Sequence, residues 1–152
     1  MNSRIFFYEF GKLIYNIDGF YAEYAKEKSV KPNLLWILYA LNDGQEHSQK
    51  EICDTWDLPR TTINTIIKEL EADGYVFLCQ IIGEKRELSV KLTDAGKEYA
   101  SSTLKELYEI EEKVYESMYE SIKNGGLLNK RLNKLLNGLY EMKEEVQKPK
   151  DQ

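Results

Sequence analysis

The stretch from Ser48 to Gly96 constrains the fold more than any other part of the chain. Ser48 stands three residues before Glu51, the spacing of a capping box, in which side chains at both positions satisfy backbone donors at a helix start. The helix begun there is short. Ile52 and Trp56 point inward, and Cys53 falls between them where a small buried residue is wanted. Asp57-Leu58-Pro59 makes a turn. The next segment, about Arg60 to Asp73, carries Ile63, Ile66, Ile67 and Leu70 at three- and four-residue spacing, the period of an amphipathic helix. Gly74 closes it. Tyr75 to Ile82 reads as a strand, Gly83-Glu84-Lys85-Arg86 as a turn, and Glu87 to Leu92 as the alternating return strand. Two short helices, a tight turn and a hairpin with a basic tip are the parts of a winged helix-turn-helix.

The second of these helices turns Thr61, Thr65 and Lys68 away from its apolar side, with Asn64 beside them. Small polar side chains of this kind suit base edges, since Asn pairs with adenine and Thr meets the thymine methyl group. The same pattern also describes the solvated face of a core helix, and the residues alone leave both readings open. Lys85 and Arg86 at the hairpin tip are open in the same way, but their distance from the helix-turn-helix favours a nucleic-acid contact. The residues expected to meet DNA are Ser48, Gln49, Arg60, Thr61, Asn64, Thr65, Lys68, Lys85 and Arg86. The net charge of −5 runs against the usual basic footprint of a DNA binder. Residues 31–95 carry 7 basic and 11 acidic groups. Local placement has to supply the positive surface, and sequence-independent affinity is expected to be low.

The flanks are helical. From about Ser3 to Lys28, Phe6, Phe10, Leu13, Ile17, Phe20 and Tyr24 form one stripe, and Ile5, Tyr8, Ile14, Tyr15 and Tyr21 widen it. Ser3 is the expected N-cap. A helix this apolar wants more than one packing partner, which points to a second copy. Pro32 opens the next helix in its favoured first turn, and Leu34, Leu35, Ile37, Leu38 and Leu41 make that helix central. Thr93 caps a long helix from about Asp94 to Lys123, and a last helix carries Leu128, Leu132, Leu135, Leu136 and Leu139. The expectation is a mainly α chain forming one domain over 1–152. Residues 33–96 make the winged unit, and 1–30 and 97–147 supply long dimerisation helices.

Several chemistries find no support. Cys53 and Cys79 lack metal-ligand or redox spacing, and His47 is the single histidine, so no metal site is expected. There is no glycine-rich nucleotide loop and no cysteine–histidine pair, so neither an enzyme nor a cofactor is expected. No apolar run suits a signal peptide or a membrane span, and a cytoplasmic protein follows as the expectation.

The order of these parts resembles the MarR family of bacterial transcriptional regulators over nearly the whole chain. The most specific likeness is the wing. The family tends to carry Asp-x-Arg in the wing turn and a strand ending Leu-Thr-x-x-Gly. This chain has Glu84-Lys85-Arg86 and Leu92-Thr93-Asp94-Ala95-Gly96, with Glu84 in place of the usual Asp. The resemblance implies that Arg86 enters the minor groove and that Arg60 to Lys68 faces the major groove. It also implies a homodimer on a pseudo-palindromic operator, and a repressor whose DNA binding is altered by a small aromatic or lipophilic effector. Members that sense oxidants do so through a cysteine near the N-terminus, and the first helix here has none. Cys53 is read as a packed thiol.

The effector site is expected between the first two helices and the long helix after the wing, lined by Phe10, Tyr15, Tyr21, Trp36 and Tyr39, aromatic walls with a few hydroxyls. The alternative is that these rings fill the dimer core. A different class of function, a winged-helix adaptor that binds protein and not DNA, has the acidic charge as its support.

Overall fold

The computed structural model describes residues 2–80 and 88–122, with side chains described through residue 116. Among these described residues, five helices and three strands run in the order α1 Ser3–Glu27, α2 Pro32–Leu41, β1 His47–Ser48, α3 Gln49–Trp56, α4 Arg60–Ala72, β2 Val76–Gln80, β3 Leu88–Leu92 and α5 Asp94–Ile122. The chain divides into two compact units, residues 1–108 and 109–152.

In the first unit a single core gathers one face from every helix. Leu35, Ile37, Leu38 and Leu41 of α2 meet Ile52 of α3 and Ile63, Ile66, Ile67 and Leu70 of α4. Val76 and Val90 close it from the sheet, and Tyr24, Ala25, Ala100, Leu104 and Leu107 from α1 and α5. The central position expected for α2 is the position found. The apolar stripe of α4 is buried along its length, which sets the opposite face outward.

The sheet has one strand more than the sequence reading: the order is β1-β3-β2, all antiparallel. β2 and β3 pair from Val76 opposite Leu92 to Gln80 opposite Leu88. The two-residue β1 adds His47 opposite Val90. Nothing in two residues of sequence marks a strand, and only the partner creates this one.

Helix ends follow local chemistry. Asn2, not Ser3, caps α1, its Oδ1 accepting from the Ile5 amide at 3.0 Å. Pro32 occupies the first turn of α2 as expected. The capping box of α3 is present in both directions: the Glu51 amide donates to Ser48 Oγ at 3.1 Å and the Ser48 amide to Glu51 Oε2 at 2.7 Å.

The N-terminal two thirds of α1 stands apart from the core. Phe6, Leu13, Ile17 and Phe20 are between 39% and 57% exposed, although their spacing is that of a buried stripe. In the second unit α5 continues as helix to Ile122. The last expected helix and the wing tip lie outside the described residues.

Candidate nucleic-acid interface

The turn between α3 and α4 sets the presentation of α4. Asp57 adopts a left-handed conformation at φ 50°, one that Asp tolerates better than most residues. The Leu58 amide then donates back to the Cys53 carbonyl at 3.2 Å, and Leu58 packs against the core. Pro59 follows with its carbonyl accepting from Thr62 and Ile63 at 2.9 and 3.1 Å, so α4 starts at Arg60.

With Ile63, Ile66, Ile67 and Leu70 buried, Arg60, Thr61, Thr65 and Lys68 are exposed and Asn64 is half-buried beside them. Thr65 Oγ1 donates to the Thr61 carbonyl at 2.9 Å. The hydroxyl proton is thereby committed, which leaves the methyl group and the oxygen lone pairs for a partner.

Charge is arranged more selectively than composition suggests. Lys31 bonds both carboxylate oxygens of Glu69 at 3.2 Å, and Lys91 pairs with Glu46. Lys50, Arg60 and Lys68 form no ion pair among the described residues. Among the described residues, the unpaired cations of the winged unit therefore lie on α3 and α4. The Glu46 carboxylate, through its hydrogen bond, raises the pKa of the Lys91 ammonium.

Two expected residues take other positions. Ser48 is 4% exposed and its hydroxyl is spent on the α3 cap, so its part is structural; Gln49, the first residue of α3, is half-buried next to it. Lys85 and Arg86 fall outside the described residues.

Behind the interface, Thr93 joins three segments. Its hydroxyl donates to the Gly74 carbonyl at 2.7 Å and accepts the Gly96 amide at 3.0 Å, while its own amide donates to the Tyr75 carbonyl at 3.0 Å. A Cβ on Gly96 would come within 1.8 Å of the Tyr75 carbonyl oxygen, so position 96 admits only glycine without a backbone shift. The Leu92-Thr93-x-x-Gly96 signature thus clamps the start of α5 onto the end of α4. The sequence reading found the cap but missed the tie to Gly74, which no local spacing reveals.

The expected effector residues are partly brought together. Tyr21 meets Trp36 with ring centroids 4.6 Å apart, Trp36 stacks on Trp56 at 4.9 Å, and Tyr39 meets Tyr108 edge-on at 5.3 Å. Trp56 and Tyr108 were not among the expected lining residues. Phe10 and Tyr15 lie away from this cluster. Phe10 stacks on Phe6, and Tyr15 is 77% exposed. The reason is helical rise: eleven residues separate Phe10 from Tyr21, about 16 Å along the axis. A cavity of about 270 Å³ beside the cluster is bounded by Tyr39, Asp43, His47, Thr55 and Trp56 among others. There His47 Nε2 lies 3.0 Å from both Asp43 oxygens, and this hydrogen bond holds the Asp43 carboxyl below its ordinary pKa. Cys53 is half-buried against the core.

A model of the MarR family matches residues 29–87, from the approach to α2 through the wing. NMB1585, a MarR family regulator from Neisseria meningitidis, is 25% identical with a TM-score of 0.73, covering 96% of each chain. Over residues 29–87 the chain is similar to the MarR family of transcriptional regulators, and over nearly its whole length it shares the fold of such a regulator. The same fold is found in MepR of S. aureus, at 15% identity and a TM-score of 0.72, covering 88% of this chain and 98% of that one. It is found again in NadR, at 17% identity and a TM-score of 0.65, covering 84% and 89%. No curated protein matches the chain. Regulators of the MarR family are not enzymes. Among the described residues, no helix is long and apolar enough to cross a membrane, and no group of His, Cys, Asp or Glu side chains could hold a metal ion.

Proposed function

We propose that this chain is a MarR-family regulator, a cytoplasmic homodimer that represses transcription from a pseudo-palindromic operator. Each α4 enters a major groove and each wing, through Lys85 and Arg86, lies along the adjoining minor groove. The observation that carries the reading is the outward face of α4: Arg60 and Lys68 are unpaired, and Thr61, Asn64 and Thr65 lie between them. Solved relatives agree with it. MepR has been captured in a DNA-binding conformation, and an overoxidized AbfR, 19% identical, bound to DNA.

The exposed apolar face of α1 supplies the second half of the reading, since a second copy would cover it. Two α4 helices then have to sit about 34 Å apart to reach successive major grooves. A small aromatic or lipophilic molecule at the Tyr21–Trp36–Tyr39 cluster, with Trp56 and Tyr108, would favour another spacing. It shifts the equilibrium only by its differential affinity for the two forms. NadR has been solved in complex with 4-hydroxyphenylacetate, a ligand of this chemical kind.

The test is selection of duplexes from a random library, followed by footprinting on the enriched sequence. The reading expects two protected half-sites, symmetric and one helical turn apart. Failure to enrich any duplex at low salt would leave the protein-binding adaptor, consistent with the net charge of −5.

A further inference from the structure

Thr61, Thr65 and Glu69 follow one another at four-residue spacing, so they form a single stripe along α4. The first two belong to the face read above as the one that meets DNA. The third is a carboxylate, 49% exposed, on that same stripe. An acid there is costly for a protein that must approach phosphate. The structure shows what offsets it: Lys31, just before α2, reaches across to bond both Glu69 oxygens at 3.2 Å. Lys31, Thr61, Thr62 and Thr65 line one open cleft of about 450 Å³ between the start of α2 and α4.

The pair is exposed on both sides, and an exposed lysine–carboxylate pair is worth little. It yields readily to a stronger partner. A DNA backbone strand along this cleft offers one in its phosphate oxygens.

We propose that Glu69 is a built-in competitor for DNA: it occupies Lys31 as a phosphate would, and so lowers affinity for every duplex regardless of sequence. The inference rests on the assignment of the α4 face to DNA and adds to it a residue that sets overall affinity. Base contacts are untouched by this competition, whereas the sequence-independent electrostatic part of binding is reduced. The consequence is weaker binding to operator and non-operator DNA by the same factor, with the ratio between them left to the base contacts. The acidic composition of residues 31–95 serves the same end, and Glu69 is the point where it reaches the interface.

The experiment compares wild type, Glu69→Gln and the double variant Lys31→Met/Glu69→Gln on a 30-base-pair duplex of mixed sequence, by fluorescence anisotropy over a range of salt. Thermal melts verify that the surface substitutions leave folding intact. Glu69→Gln should bind about fivefold more tightly at low salt, and its plot of log affinity against log salt should steepen by about 0.9, the value for one more neutralised phosphate. The double variant should return to wild type, because the freed cation is gone. If wild type binds and Glu69→Gln shows no gain, or if the double variant keeps the whole gain, the competition with Lys31 is wrong. A loss of affinity in Glu69→Gln confined to one sequence would overturn it too and make Glu69 a base-reading residue. If none of the three proteins binds any duplex, the assignment of the α4 face to DNA fails, and the inference with it.

Discussion

The amide of Leu107 donates to the hydroxyl of Tyr24 at 3.2 Å, and the same hydroxyl donates to the carbonyl of Thr103 at 2.7 Å. Thr103 and Leu107 are four apart in α5, the pair that a regular helix joins directly. The side chain of α1 therefore bridges the two backbone groups of one rung of α5, and burial raises the Tyr24 pKa. Lys28, one turn further along the chain, pairs with Glu106 on the same stretch. This fixes the C-terminal end of α1 against α5 while its N-terminal part stays exposed.

Tyr24→Phe should cost about 1 kcal/mol in denaturant unfolding. The penalty stays small because Thr103 and Leu107 stand at the spacing of a regular helical bond. A loss above about 3 kcal/mol would mean that the Tyr24 hydroxyl is the one partner these two backbone groups have.

Gly96→Ala should destabilise by about 3 kcal/mol or more, the upper range for overpacking, because the obstacle at 1.8 Å is backbone and not a movable side chain. Thr93→Val, which removes the bonds to Gly74 and Gly96 at near-constant volume, should cost about 1–2 kcal/mol. A Gly96→Ala protein with wild-type melting behaviour would contradict the clamp.

Much of this was legible in sequence, for identifiable reasons. The stripe Ile63-Ile66-Ile67-Leu70, the Ser48–Glu51 box and the Pro32 start are local signals whose partners lie within a turn or two, and all reappear in the structure. What stayed hidden depends on chain reversal. β1 exists only because Val90 lies opposite His47. The pairing of Lys31 with Glu69 and the bonds of Tyr24 to α5 join residues with no sequence relation. Ser48, expected to meet DNA, is buried at the start of α3. The same capping box that makes it recognisable also spends its hydroxyl. Phe10 and Tyr15 were grouped with Trp36 on residue type, and helical rise separates them.

Asp43 gives a pH signature. His47 hydrogen-bonds its carboxylate and lowers its folded-state pKa. A carboxyl with a depressed folded pKa contributes stability above its unfolded value, about 3.9, and loses it as pH falls through the folded one. The melting temperature of Asp43→Asn should therefore lie below wild type at pH 5 and converge with it as the pH drops below about 3. A gap that stays constant across this window would show that the carboxylate is not the source.

Sedimentation should show a dimer at micromolar concentration, because the exposed face of α1 carries Phe6, Leu13, Ile17 and Phe20 in one stripe. We expect an obligate interface burying more than about 2,000 Å². Leu13→Lys with Ile17→Lys should break the dimer or unfold the protein. A folded wild-type monomer at that concentration would remove the second-copy reading of α1.

The most direct test of α4 as the DNA-reading element is the affinity of Asn64→Ala for two duplexes, the one enriched from a random library and one of mixed sequence. A side chain that reads a base should cost about 1–3 kcal/mol on the enriched duplex and leave the mixed one unchanged. Lys68→Ala, measured beside it, should weaken both equally and lower the salt slope by about one. Wild-type affinity of Asn64→Ala for the enriched duplex, together with wild-type affinity of Lys68→Ala for both, would contradict the placement of this face against DNA.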